Sequence, residues 1–274
     1  MEKLPNSRVK EIRGLVKDRT ERRVSGLFVV EGAKIVRDAM RNGHTPEYLV
    51  MERSFLSVPE SGDIIDLSRS KSIPVHVADK KAFSSISSVV TPQGVLAVLR
   101  RPVFPERPSC KANATLLLCD SVQDPGNLGG MIRVSLALGV DGVILVNECV
   151  DPYSPKSIRS SGGAVLDMPL YECELEKLAE IKNEGFNLLV SCVNGGGSVD
   201  LEDLCVSDVP VIVAFGSEGQ GMSPEIIGMA DKVFHIRMNS DKIESLNVMS
   251  AAAISLYRII GKERMKKCGG GANG

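Results

Sequence analysis

TLLLCDSVQDPGNLGGMIR, residues 115–133, decides how this chain is read. Thr115 to Cys119 is an unbroken apolar run of strand length that ends on Asp120. Apolar residues without alternation mark a strand covered on both faces, and such strands belong to parallel sheets wrapped by helices. A helix is expected from about Leu128 to Leu138, so the loop from Asp120 to Asn127 joins the carboxyl end of a strand to a helix. Open parallel sheets bind ligands at that end. Free N–H groups at a helix start, together with the Asn127 amide, suit a phosphate or ribose oxygen. Arg133, about one turn into the expected helix, is read as projecting to the same face. The same residues also read as a turn with a helix cap and a solvated arginine, and residue types alone leave both readings open.

Outward from this stretch, strands are expected at 142–146, 168–171, 187–191, 210–214 and 233–236, with helices at 174–184, 223–229 and 246–262. This alternation predicts an α/β fold with a covered parallel sheet. Two further loops have unusual composition for connectors. Gly216-Ser217-Glu218-Gly219-Gln220-Gly221-Met222 follows the apolar strand ending at Phe215, and its glycines permit positive φ and close backbone approach to a flat ligand. Ser223-Pro224 after it reads as an N-cap with proline at the first helical position. It is neither a dinucleotide fingerprint nor a phosphate loop. The other runs from Ile236-Arg237-Met238 to Ser245-Leu246-Asn247-Val248, where Ser245 or Asn247 also reads simply as a cap of the last helix.

The first hundred residues read as a small α/β domain of their own. Strands are expected at 27–30, 48–51, 74–77 and 94–99, and one basic amphipathic helix over 6–23 carries Arg8, Lys10, Arg13, Lys17, Arg19, Arg22 and Arg23. Arg100-Arg101-Pro102, Pro105 and Pro108 form a stiff connector. The division is therefore a domain over 1–100, a proline-rich linker over 101–113, a second domain over 114–264 and a flexible glycine-rich tail over 265–274.

Charge follows the same division. The chain of 274 residues has a net charge of −1, but residues 1–107 hold 19 basic and 13 acidic side chains while the remainder holds 14 and 21. A basic half hidden in a neutral total points to a nucleic-acid or membrane partner for that half. No apolar run reaches the roughly 18–20 residues of a membrane span, and the charged N-terminus lacks the apolar core of a secretory signal. Seven scattered cysteines without a CxxC pair fit reduced thiols in a cytoplasmic protein. Three isolated histidines make a metal site unexpected.

Together and in order, the three loops resemble the motifs of the SpoU/TrmH family of RNA ribose 2′-O-methyltransferases. The first, D-x-V-x-D-P-x-N-x-G-x-x-x-R, is matched at Asp120, Val122, Asp124, Pro125, Asn127, Gly129 and Arg133. The second, G-x-E-x-x-G, is matched at Gly216, Glu218 and Gly221. The third, I-P-M followed by S-L-N-V, is matched at Ile236, Met238, Ser245, Leu246, Asn247 and Val248, with Arg237 in place of the proline and an extra residue before Ser245. Ser160-Ser161-Gly162-Gly163-Ala164 is similar to the segment these proteins carry between the first two motifs. Phe28-Val29-Val30-Glu31-Gly32 is similar to the opening of the small RNA substrate-binding domain that precedes many of these catalytic domains.

The resemblance implies a catalytic domain with a deep trefoil knot, S-adenosylmethionine as cofactor and a homodimer with sites at its interface. It implies Arg133, Asn127, Glu218, Ser245 and Asn247 as catalytic residues, and Gly216, Gly221, Ile236, Met238 and Leu246 around the cofactor. The substrate is expected to be ribosomal RNA, the alternatives being transfer RNA or a non-catalytic RNA-binding or assembly role on the same fold.

Overall fold

A computed structural model describes residues 1–192, 197–206, 209–239, 242 and 244–268, without the side chains of 262–268. The tail beyond 268, and residues 240, 241 and 243 of the segment before Ser245, lie outside the described residues. The chain forms two compact units, Met1–Val103 with Asp151–Leu166, and Phe104–Val150 with Asp167 onward.

The first unit runs β1 (Glu2–Lys3), α1 (Asn6–Lys17), α2 (Arg19–Ser25), β2 (Leu27–Glu31), α3 (Ala33–Arg41), β3 (Tyr48–Glu52), α4 (Glu60–Ser70), β4 (Val75–Ala78), α5 (Lys80–Ser84) and β5 (Val95–Arg100). Its sheet has the order β1-β4-β3-β5-β2, with β5 antiparallel to both neighbours. Ile12, Leu15, Tyr48, Phe83 and Leu96 are among the side chains filling its core. The single helix expected over 6–23 is corrected to two. Asp18 sits between them in an extended conformation, φ −114° and ψ 119°, and its carboxylate accepts the Thr20 N–H at 2.7 Å. An aspartate's short carboxylate competes for backbone N–H groups, so it caps a new helix more readily than it continues an old one.

The second unit begins with β6 (Thr115–Asp120), α6 (Pro125–Ala137) and β7 (Gly142–Val146). The next helix, α7 (Pro155–Ser161), belongs to the first unit and packs on β2. The second unit resumes with β8 (Leu170–Glu172), α8 (Leu175–Asn183), β9 (Asn187–Ser191), β10 (Val199–Asp200), β11 (Val211–Phe215), α9 (Pro224–Gly228), β12 (Lys232–His235) and α10 (Val248–Cys268). All pairings in its seven-stranded sheet are parallel, in the order β10-β12-β9-β11-β6-β7-β8. Every residue of β6, β7 and β11 is buried, as the unbroken apolar runs require. Helices α6 and α10 pack so closely that a Cβ on Gly130 would lie 2.8 Å from the Met249 Cγ. With β6 and β11 adjacent, β12 next to β9 and all of them parallel, the loops after β6, β11 and β12 open at the carboxyl end of the sheet.

Candidate active site

Helix α6 starts three residues earlier than the sequence suggested. Pro125 takes the first helical position and Asp124 caps it, its carboxylate accepting the Asn127 N–H at 2.9 Å. Asn127 therefore lies in the first turn. The Asn127 Nδ2 donates to the Glu218 carboxylate, and the Asn127 Oδ1 accepts from the Asn247 Nδ2 at 2.9 Å. The Asn247 Oδ1 in turn accepts the Met249 N–H at 3.0 Å and caps α10. That cap decides the direction of the whole chain. With its oxygen committed to the helix, Asn247 can offer only its NH2, so Asn127 must turn its oxygen to Asn247 and its NH2 to Glu218. Residues 91 and 120 positions apart are thus linked in one polarised network.

The Gly216–Met222 loop is held in a tight fold. Ser217 and Gly221 exchange two backbone hydrogen bonds, at 3.1 and 3.0 Å. A Cβ on Gly216 would lie 2.1 Å from the Gly221 carbonyl oxygen, so only glycine fits there, and Gly221 has φ +71°. Below it, buried Asp120 ties three segments together. Its carboxylate accepts from the Asn147 Nδ2 at 2.8 Å, the Ser121 hydroxyl at 3.1 Å and the Ser223 N–H at 2.7 Å. Sequence reading placed Asp120 in the first motif without assigning it this clamp. A carboxylate at the end of an otherwise apolar buried strand was the available signal.

Arg133 is exposed and has no hydrogen-bond or ion-pair partner among the described residues. Arg133 follows Asn127 on the same helix. Six residues on, it lies about 9 Å further along the axis and about 120° round. It emerges within about 60° of Gly130, beside the contact between α6 and α10. Ser245 is exposed two residues before Asn247, while Ile236, Met238 and Leu246 are half-buried. Gly216 and Ile236 follow strands separated only by β9, about 10 Å apart across the sheet. Arg237, where the motif has proline, points outward and pairs with Asp200 of β10 at 2.8 Å. The Glu202 N–H and then Arg237 hold the Asp200 carboxyl below its ordinary value.

A backbone-rich glycine loop and half-buried apolar side chains fit a flat purine and an aliphatic tail, so these residues suit S-adenosylmethionine without a cation. Among the described residues no three His, Cys, Asp or Glu side chains gather as a metal site. Burial pushes the Cys119 thiol well up and that of Cys149 to about 11, so neither is a nucleophile near neutrality.

Residues 114–257 match the SpoU rRNA methylase family. The chain belongs to that family. Residues 6–97 match the MRM3-like substrate binding domain. The chain is 30% identical to the 23S rRNA (guanosine(2553)-2′-O)-methyltransferase RlmP of Bacillus subtilis, over 95% of this chain and 99% of that one. It is also 30% identical to an uncharacterized tRNA/rRNA methyltransferase of Synechocystis, over 92% and 90% of the two chains. Among solved structures, the AdoMet-bound rRNA methyltransferase from Sinorhizobium meliloti superposes with a TM-score of 0.82 at 28% identity, covering 95% of this chain and 96% of that one. The parallel-sheet unit is accordingly the knotted α/β fold of SpoU methyltransferases, as the motifs implied.

Proposed function

We propose that this protein transfers a methyl group from S-adenosylmethionine to a ribose 2′-hydroxyl of RNA, with ribosomal RNA as substrate. The observation that carries the reading is the meeting of all three motifs in the hydrogen-bonded chain Glu218–Asn127–Asn247. S-adenosylmethionine supplies an activated methyl on a sulfonium, which leaves orientation and electrostatics to the protein. Gly216, Gly221, Ile236, Met238 and Leu246 are the residues we assign to holding it. The asparagine–glutamate network fixes the three loops around it, with Ser245 beside them. A guanidinium stays protonated at any physiological pH, so Arg133 is no general base. We assign it to clamping a phosphate or ribose oxygen and stabilising the developing 2′-oxyanion.

We further infer a homodimer. On α6 and α10 of the catalytic unit, Leu136, Ile254 and Tyr257 are exposed, the last two by 45% and 51%, around the small residues Ser250 to Ala253. Large apolar side chains grouped beside small ones are what a close helix-to-helix interface uses. Buried thiols suit the reducing cytoplasm, to which we assign the protein. No described helix is long and apolar enough to cross a membrane.

The test is methyl transfer from labelled S-adenosylmethionine to protein-free ribosomal RNA, with the 2′-O-methyl sites mapped in cells with and without the gene. Arg133→Ala should abolish transfer while calorimetry finds cofactor affinity within about twofold of wild type. Normal turnover in that variant rejects the assignment of Arg133. A methyl mark on transfer RNA instead of ribosomal RNA rejects the proposed substrate.

A further inference from the structure

The first unit contains a cleft of about 360 Å³ that the methyl-transfer site does not use. Its wall is built from Glu31 and Gly32 at the end of β2, Lys34 and Ile35 at the start of α3, Val89, Thr91 and Gln93 from the segment before β5, and Arg159 from α7. Those parts are locked by a network that leaves specific groups over. The buried Glu31 carboxylate accepts from the Ser87 hydroxyl at 2.5 Å and from the Ser88 N–H and hydroxyl at 2.9 and 2.8 Å. The Arg159 Nη1 donates to the same Ser88 hydroxyl at 2.7 Å. Glu31 is therefore saturated by neighbours, and the remaining N–H groups of Arg159 have no partner among the described residues. The Gln93 Oε1 accepts the Ala33 N–H at 3.0 Å, which fixes the amide with its NH2 as the free donor. Gly32, at φ +114°, admits that amide, because a Cβ there would lie 3.1 Å from the Gln93 oxygen. Ile35 and Val89 supply the apolar part of the wall, and fully exposed Val90 stands next to it.

An apolar wall, a fixed amide donor, a threonine hydroxyl and two cations in a cleft of this size match a nucleotide better than a peptide or a lipid. Cleft volumes of about 300 Å³ and upward hold small molecules. Unpaired RNA bases are recognised by being splayed out, stacked on flat or apolar side chains and hydrogen-bonded along their edges. We propose that this cleft receives one unpaired nucleotide of the RNA substrate, away from the residue that is methylated. The base lies against Ile35 and Val89, the Gln93 NH2 and Thr91 hydroxyl read its edge, and Lys34 and Arg159 meet its phosphate. Lys34 gives up little to do so, since it is itself exposed and its present partner, half-buried Asp38, is a neighbour one helical turn away at 2.7 Å. The proposal rests on RNA being the substrate, and its test separates the two.

The full-length protein is assayed on protein-free ribosomal RNA for methyl transfer, and by fluorescence anisotropy on end-labelled fragments of the same RNA. Val89→Trp fills the cleft and Lys34→Glu reverses an exposed charge without touching the core. Both should raise the KM for RNA at least about fivefold with kcat within about twofold, and leave cofactor affinity unchanged. Lys34→Glu should also lower the slope of log affinity against log salt by about one. If Val89→Trp fails to fold, Lys34→Glu and Thr91→Trp carry the test. Wild-type KM in both variants overturns the proposal while leaving methylation intact. Wild-type protein that binds RNA through the cleft yet transfers no methyl overturns the enzymatic reading and leaves the cleft standing. Wild-type protein that binds no RNA overturns both.

Discussion

Gly216→Ala tests directly the assignment of the Gly216–Met222 loop to the cofactor. The added methyl would sit 2.1 Å from the Gly221 carbonyl oxygen, 2.2 Å from its carbon and 2.4 Å from the Met222 nitrogen. Carbon atoms in contact need about 3.5 Å, so the two limbs of the loop must part by more than about 1 Å. The paired Ser217–Gly221 hydrogen bonds, at 3.1 and 3.0 Å, cannot survive that movement. At about 1 kcal/mol net for each bond, the closed loop loses at least about 2 kcal/mol. A ligand that needs the closed loop then binds about 30-fold more weakly. Residues 217–221 are partly or fully exposed, so the damage stays local and thermal stability should change little. Gly219→Ala is the matched control, because nothing lies within 4 Å of a Cβ at that position. Calorimetric titration of S-adenosylmethionine into the three proteins reads the difference. Gly216→Ala that is folded and binds within about twofold of wild type would falsify the assignment of this loop to the cofactor.

Three other substitutions probe separate parts of the molecule. Asn247→Asp keeps the oxygen that caps α10 but sets a carboxylate against the Asn127 Oδ1, so kcat/KM should fall about 5- to 150-fold at unchanged melting temperature, and full activity would sink the network's role. Arg22→Ala removes the closer of two arginines on buried Asp151, paired at 2.6 Å with side chains 5% and 4% exposed, and leaves the carboxylate Arg101 at 3.7 Å and the Tyr153 N–H; denaturant unfolding should show a loss of about 1–3 kcal/mol, and no measurable loss would refute it. Burial, then the charge of Arg8, lowers the pKa of His76, so the folded chain prefers the neutral ring. Its contribution is complete above the ordinary histidine value of about 6.5 and is lost as pH falls below it. His76→Gln should flatten the stability profile between about pH 7 and 5, and parallel profiles for the two proteins would contradict this.

Much of the catalytic unit was legible because a doubly covered sheet writes itself as apolar runs. The strands at 142–146 and 187–191 were placed to the residue, and the others within two. Two-residue strands such as β1 and β10 have no pattern to read, and they exist because a neighbouring strand offers a free edge. The start of α6 was missed because Asp-Pro-Gly-Asn is chemically both a turn and a capped helix start. Asn127, Glu218 and Asn247 were named from their motifs, but their mutual bonding was not, because it depends on which amide is committed to a helix cap. The break at Asp18 and the burial of Arg22 are tertiary facts. A helix period treats Arg22 as one more basic residue, whereas its partner Asp151 lies 129 positions away.

That burial changes what the basic surplus of the first half can do. A charge count treats every cation as available to a phosphate, yet each one already neutralised by a buried carboxylate releases no counterions on binding. Arg22 donates to Asp151 and to the Leu15 carbonyl inside the unit, and Arg8 is shared between Glu11 and the Tyr48 ring. Exposed Lys10, Lys17 and Arg23 remain from the same stretch. Bulk attraction alone, moreover, selects no site on an RNA. Discrimination has to come from groups whose direction is fixed before the RNA arrives. In the first unit those are the Gln93 amide and the Arg159 guanidinium, each oriented by a hydrogen bond on its other side. In the site we propose for methyl transfer, the amides of Asn127 and Asn247 are oriented by the cap of α10. In both units, then, the groups we assign to recognition are held by hydrogen bonds that leave donors over.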